Sequence, residues 1–305
     1  MNYVCIDIGT NSIKYNLFGS KMNLLKKEIF YIRLGEGIKN NRICTEKINK
    51  TERLIKRLIN NAEKDRVKKV LIIGTSALRN CKNKTVFDRK FKKFTNTKFK
   101  ILTGKEEALL SARGAIHSMA EKVSGVRVLI IDIGAGSTEI AIFENNKITK
   151  AFSIELGALS LKLLFKKKPQ LTEVLSAVKE KIPGRLAKHM ERSRYVLGIG
   201  GSFTTSAAII QGIKKYAPSK IEKFCYCKKD FIDLQKKLLK KTVKDIKKTY
   251  NLHAKRADLV HYGILMINSL LNFCPAEKIF ISNYGIAKGA ILNYIVNKGG
   301  RLNYP

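Results

Sequence analysis

Polar and apolar positions follow a regular succession along this chain. Residues 2–8 and 12–19 are two short apolar runs joined by Gly-Thr-Asn-Ser, the composition of paired strands on a tight turn. "KKEIFYIRLG" (26–35) predicts a third strand. Over 45–64 the period lengthens to that of a helix, with Ile48, Leu54, Ile55, Leu58 and Ile59 on one face and lysines on the other. "KVLIIGTSALRN" (69–80) predicts a buried strand turning into a helix start. A helix at 85–94, a strand at 98–104 and a strong helix at 105–120 complete a β-β-β-α-β-α-β-α order. From 127 the series restarts, with strands at 127–133, 137–144 and 147–154, helices near 157–166 and 171–182, and a strand at 194–199. A lysine-laden helical stretch (228–249), a long helix near 253–272, a strand at 278–282 and a last helix at 284–296 follow.

The restart is also a repeat of residues. "YVCIDIGTNSIKYNLF" (3–18) superposes on "VLIIDIGAGSTEIAIF" (128–143), so that Asp7 falls on Asp132, Gly9 on Gly134, Ser12 on Ser137 and Phe18 on Phe143. Lys14 alone changes sign, falling on Glu139. A hairpin first and helices with strands later, twice over, predicts a duplicated α/β domain with mixed, helix-covered sheets. The polar stretch "EKVSGVR" (121–127) divides the chain into domains at 1–121 and 122–305, with the last helix a candidate to pack back on the first domain.

Composition narrows the partners. Of 305 residues, 60 are Lys or Arg and only 24 Asp or Glu, a formal charge of +36 that attracts polyanions. Heavy use of Lys, Asn and Ile explains many lysines but not the scarcity of carboxylates. Six scattered cysteines and four scattered histidines give neither a disulfide framework nor a zinc site. No apolar run approaches the roughly 20 residues of a membrane span, and the N-terminus enters a strand at once, so a soluble cytoplasmic protein without a membrane partner is expected.

The turns carry the candidate chemistry. Asp at a strand end followed by Gly-x-Gly-Ser or Gly-x-Asn-Ser sets backbone N–H groups and a hydroxyl around an anion, while the carboxylate suits a hydrated cation such as Mg2+. "GIGGSFTT" (198–205) is a third Gly-rich turn. Lys14 is either the positive half of such a site or a solvated strand residue. In "TGKEEALL" (103–110), Thr103 and Glu106 have capping-box spacing, which leaves Glu107 either to activate water beside a phosphate or to sit as a surface acid favoured by the helix dipole. Arg33 and Arg79, at strand ends, could fork onto phosphate oxygens or lie solvated. "KFKKFTNTKFK" has basic-aromatic interleaving, although Phe87, Phe91 and Phe94 keep the helical spacing of core residues. The stretch 234–248 has a lysine face suited to a polyanion or simply to water.

"DIGTNSIKYNLF", "GTSALRN", "ILTGKEEALLSARGAI", "IDIGAGSTEIAIF", "GIGGSFTTSAAI", "KRADLVHYGILMI" and "ISNYGIAKGAIL" occur in the order and spacing of the exopolyphosphatase/guanosine pentaphosphate phosphohydrolase (Ppx/GppA) family, which the chain resembles from about residue 2 to 296. The resemblance implies two ribonuclease H-like domains of the sugar kinase, actin and heat-shock-chaperone ATPase superfamily around a phosphate-binding cleft, in the compact two-domain form. It implies Glu107 as catalytic base, and Asp132 and Glu139 as carboxylates handling metal and water, with Asp7 a further metal candidate. Gly134 and Ser137, Asn11 and Ser12, Arg79, and Gly200, Gly201 and Ser202 are the implied phosphate contacts, and Arg33 joins them from its strand end. Where the family usually has Gly, this chain has Ala135, harmless at negative φ and costly in the left-handed region. The expected activity is Mg2+-dependent release of terminal orthophosphate from inorganic polyphosphate, a monovalent cation being a further candidate and a homodimer the expected assembly. The rivals are a guanosine pentaphosphate 5'-phosphohydrolase, with guanosine penta- or tetraphosphate as partner, and a non-catalytic sensor of polyphosphate or nucleic acid.

Overall fold

The structure, a computed structural model, describes residues 1–299 apart from 66, 95, 96, 166 and 214–216; the chain end at 300–305 lies outside the described residues. Two sheets carry the repeat. In the first, the spatial order of strands is Leu24–Phe30, Ile13–Phe18, Tyr3–Ile8, Lys69–Gly74, Thr97–Ile101. In the second it is Lys147–Ile154, Thr138–Glu144, Val128–Ile133, Tyr195–Ile199, Lys278–Ile281, closed by a short edge strand, Cys225–Cys227. Leaving aside the two-residue strands Ile38–Lys39 and Arg42–Ile43, which pair only with each other, and the edge strand Cys225–Cys227, both halves read third, second, first, fourth, fifth, with the second strand antiparallel to the first, the ribonuclease H-like arrangement. The first sheet packs Val4, Ile6, Ile8 and Ile72 on Leu54, Ile55, Leu58 and Ile59 of the Thr45–Lys64 helix.

Phe87 and Phe91 are fully buried in that same core and Phe94 packs at its margin, so the basic-aromatic stretch is core packing. The two long terminal helices of the halves are exchanged. Gly104–Val123 lays Ala112, Ala115, Ile116, Met119 and Val123 on Val128, Ile130, Ala141 and Leu197 of the second sheet. Ile286–Val296 lays Ala287, Ala290, Ile291 and Leu292 on Cys5, Phe18, Leu71 and Ile73 of the first.

Where the elements depart from expectation, a specific hydrogen bond is responsible. The third strand stops at Phe30, because the Arg33 and Gly35 amides donate to the Asn11 and Thr10 carbonyls and bend the chain into a 3-10 turn at Leu34–Gly37. The stretch 228–249 is two helices, Lys228–Leu239 and Val243–Thr249, since Thr242 and Asp245 form a capping box that starts a new helix. The expected helix at 253–272 becomes Ala254–Ala257 and Val260–Leu271, with the Lys255 carbonyl accepting from the Arg33 guanidinium. A helix at Gly184–Met190 and the strand Cys225–Cys227 carry too few periodic positions to be read in advance. Among the described residues no helix is long and apolar enough to cross a membrane.

The exchanged helices touch backbone to backbone. A Cβ on Gly289 would lie 1.8 Å from the Leu110 carbonyl oxygen, and one on Gly114 would lie 2.1 Å from that of Gly285. Neither neighbour is a side chain that can rotate away. Gly289→Ala therefore forces the helices apart and is expected to lower the unfolding free energy by about 2–3 kcal/mol. Gly184→Ala, with nothing within 4 Å of its added methyl, is the control and should be neutral or slightly stabilising. Urea midpoints decide it: equal values for the two variants would show that the crossing is not close-packed.

Candidate functional site

The two hairpins place their chemistry by register. Asp7 pairs with Lys14 across the first hairpin, and Asp132 with Glu139 across the second, so each acid has the residue of changed sign directly beside it. Both turns close with the same bond, Gly9 N–H to the Ser12 carbonyl and Gly134 N–H to the Ser137 carbonyl, each 3.0 Å. The turns also meet, since a Cβ on Gly136 would lie 2.4 Å from the Thr10 hydroxyl and 2.8 Å from that of Ser76. The third turn has its own constraint: Gly200 has φ +85°, and a Cβ there would fall 2.6 Å from Asp132 Oδ1. Ala135 is absent from the residues with positive φ, so its methyl brings no left-handed strain.

One cavity of about 200 Å3 lies between these turns. Its wall includes Asp7, Asn11, Ser12, Lys14, Glu107, Asp132, Gly134, Ser137, Glu139, Gly200, Gly201 and Ser202. Eleven of the thirteen expected site residues lie on this wall, and Arg33 and Arg79 stand elsewhere. Arg33 does not reach it: its guanidinium is held by Glu36 and Asp258, each at 2.6 Å, and by the Lys255 carbonyl, which ties the first half to the second. Arg79 stands behind the wall, bonded to Glu107 at 2.6 Å and to Glu155 at 2.7 Å through separate nitrogens. Both forks are filled by carboxylates, which corrects the expectation that they face phosphate.

Glu107 is placed by the cap. Thr103 Oγ1 accepts from the Glu106 amide and the Glu106 carboxylate accepts from the Thr103 amide, which leaves Glu107 in the first helical turn, buried and turned into the cavity. Burial raises its pKa to about 7, and the charges of Asp7 and Asp132 add to the rise, while Arg79 opposes it. Asp132 accepts from Ser111, and its pKa is raised by burial. Glu139 accepts from Ser153 at 2.9 Å, and burial followed by the charges of Glu107 and Asp132 holds its pKa well above the usual carboxylate range. Lys14 donates to Asp7 at 2.9 Å, and that charge raises the lysine's pKa.

Lys27 and Arg256 also line the cavity, and neither was singled out from sequence. Arg256 stood within a quoted motif, "KRADLVHYG", whereas Lys27 lies on an edge strand with no distinguishing pattern. Burial, with Lys14 and Arg256 nearby, lowers the Lys27 pKa to about 8. Ser111, four residues after Glu107 on the same helix face, was legible by spacing, and Ser153 by its register opposite Glu139.

Oxygen atoms dominate the acidic side, as Mg2+ requires. Among the described residues the buried Asp7 Oδ1 and Asn11 Oδ1 have no hydrogen-bond partner, and an unmatched buried acceptor favours a cation or a hydrated ion. Among the described residues no three of His, Cys, Asp and Glu gather closely enough to cage a metal. The set therefore fits an ion held by one or two carboxylates, with water and phosphate oxygens completing its shell.

The comparisons agree with this geometry. The model of the Ppx/GppA phosphatase family matches residues 13–297. Exopolyphosphatase 2 of Mycobacterium tuberculosis is 27% identical over 311 residues, covering 94% of this chain and 97% of that protein. A guanosine-5'-triphosphate,3'-diphosphate pyrophosphatase of Photobacterium profundum is 28% identical over 163 residues, 52% of this chain and 32% of that protein. The crystal structure of an exopolyphosphatase from Cytophaga hutchinsonii superposes with TM-score 0.86 at 26% identity, covering 99% of both chains.

Burial of Glu107 has a measurable consequence. Its folded pKa, about 7, exceeds the 4.5 of an exposed glutamate, so the folded state holds the proton more tightly. The stability this group contributes is complete below about pH 4.5 and is lost as pH rises through about 7. Glu107→Gln removes the titration, and the drop in unfolding free energy between pH 5 and 8 should shrink by about 2–3 kcal/mol. Urea denaturation of both proteins across that range, without divalent cations, measures it; parallel curves would show that Glu107 titrates normally.

Proposed function

This chain belongs to the Ppx/GppA phosphatase family, whose members hydrolyse phosphoanhydride bonds, and we propose that it acts as an exopolyphosphatase, removing terminal orthophosphate from inorganic polyphosphate. The observation that carries the reading is Glu107, an acid with a pKa near neutrality, on the wall of a cavity shared with both Asp-Ile-Gly turns. A general base works best when its pKa lies near the operating pH. The formal +36 charge favours a polymer over a nucleotide, because each neutralised phosphate releases counterions.

In this mechanism the terminal phosphoryl lies between the two turns. The Ser12 and Ser137 hydroxyls and the N–H groups around Gly134 and Gly201 donate to its oxygens and stabilise the charge that spreads over them. Glu107, oriented by Arg79, takes a proton from the attacking water as the new P–O bond forms. The bridging P–O bond breaks with its electron pair on the shortened chain, which leaves as an anion, and orthophosphate departs. One or two of Asp7, Asp132 and Glu139 would hold Mg2+, whose contribution would be to neutralise phosphate oxygens. Lys14 and Lys27, on the same cavity wall, meet the same charge.

Orthophosphate release from long polyphosphate and from guanosine pentaphosphate, with and without Mg2+, tests the reading. Wild type should act on polyphosphate, and Glu107→Gln should lose at least about 100-fold in kcat while still binding the polymer. Because kcat/KM reports the free enzyme, it should rise with pH up to about 7 and then level off. Turnover of the nucleotide alone would transfer the machinery to that substrate, and an inert wild type that still binds polymer would make the protein a sensor.

A further inference from the structure

A second, open pocket of about 760 Å3 adjoins the cleft, and Ile29 and Tyr31 belong to the walls of both. We propose that this pocket seats the distal phosphates of a polyphosphate chain whose terminal phosphoryl lies in the cleft, with Lys50, Arg53, Arg57 and Lys255 as their contacts. The proposal rests on the exopolyphosphatase reading and adds to it a determinant of chain length.

The helix builds this surface by spacing. Glu46, Lys50, Arg53 and Arg57 recur at intervals of four, three and four residues, a single stripe of the Thr45–Lys64 helix opposite the apolar face that holds it to the sheet. Lys50, Arg53 and Arg57 are exposed, and among the described residues none of them forms an ion pair with a carboxylate. Glu46 is the single carboxylate in the wall. From the other half of the molecule Lys255 reaches over, its ammonium bonded to the Tyr31 carbonyl at 3.0 Å. The pocket therefore joins both halves at the cleft mouth, with four cations against one acid.

Its occupant follows from what the pocket lacks. A nucleic acid needs open aromatic faces on which bases stack. Here the Arg57 guanidinium covers the Phe30 ring at 5.3 Å, and Tyr31 is stacked on His253 at 4.3 Å. What remains open is positive charge, and a chain of phosphates without bases matches that. A three-phosphate substrate ends within the cleft, whereas a long one has to leave it, and the shared wall at Ile29 and Tyr31 leads here.

The test compares wild type with Lys50→Gln/Arg53→Gln/Arg57→Gln, using orthophosphate release from long polyphosphate and from tripolyphosphate. A control with equal loss of charge, Lys236→Gln/Lys237→Gln/Lys240→Gln, changes exposed positions on and just after another helix that line neither pocket. The proposal expects KM for long polymer to rise about 10-fold or more, with kcat and the tripolyphosphate KM within about two-fold of wild type. The salt dependence of polymer binding should weaken by about two units of log–log slope. Equal losses on both substrates, or an equal loss in the control, would overturn it, the first pointing to damage in the cleft and the second to net charge alone. Single-stranded RNA displacing polymer from wild type but not from the triple variant would assign the pocket to nucleic acid and overturn it as well. Wild type inert on polyphosphate would sink the enzyme reading instead; direct binding of labelled polymer to the three proteins would then decide the pocket separately, unchanged affinity in the triple variant counting against it.

Discussion

Glu107, Asp132 and Glu139 are three carboxylates enclosed in one cavity, and among the described residues only Glu107 of the three is bonded to a guanidinium. Like charges out of water repel strongly and raise one another's pKa, an arrangement a folded protein tolerates only when something offsets it. Here the offset comes from hydroxyls, Ser111 on Asp132 and Ser153 on Glu139, and from burial, which makes each carboxyl hold its proton more tightly than an exposed one. Such a cavity gains from a cation or a hydrated ion on its acidic side. Lys14, Lys27 and Arg256 on the same wall create the opposite demand, for an anion. A phosphate chain accompanied by a metal ion satisfies both at once.

That polarity comes from one substitution in a duplicated hairpin. The antiparallel register sets the residue at the second-strand position beside the Asp in either copy, whatever it is. Lysine there neutralises Asp7, while glutamate there compounds the charge of Asp132. The exchanged helices keep the copies facing each other. Their crossing at Gly114 and Gly289 allows backbone contact, so the helix that carries Glu107 is fixed against both sheets. An acid in its first turn is then aimed by the whole scaffold rather than by a loop.

The repeat, the hairpins and the capping box were legible because each is local: strand period, turn residues and a three-residue spacing decide them. The cavity wall was legible because duplication implies a facing pair. Arg33 and Arg79 were misread because their partners are remote in sequence. Arg33 meets Asp258, and Arg79 meets Glu155, and no local pattern marks a carboxylate that distant. The same holds for Lys27, which reaches the cavity only through the pairing of an edge strand. The long helical stretches failed differently: periodicity runs straight through the breaks near Lys241 and Asp258, where one cap and one tertiary hydrogen bond outweigh local propensity.

These remote pairs also say how the halves are held. Arg33 with Asp258 ties them on one side of the cleft, Lys162 holding the same carboxylate from within the second half, and Arg79 with Glu155 ties them on another. The first tie is largely buried, and Arg33 itself sits in the left-handed region, with φ at +54° in a non-glycine residue. The second is half exposed, and its carboxylate is gripped as a bound anion would be, by the Ser76 hydroxyl, the Asn80 amide and two nitrogens of Arg79. Screening by solvent makes the exposed tie the weaker of the two. The halves are thus fastened firmly at Arg33 and lightly at Arg79, and the light fastening is the one that also orients Glu107. Orientation of Glu107 and the lighter tie between the halves therefore share a single guanidinium.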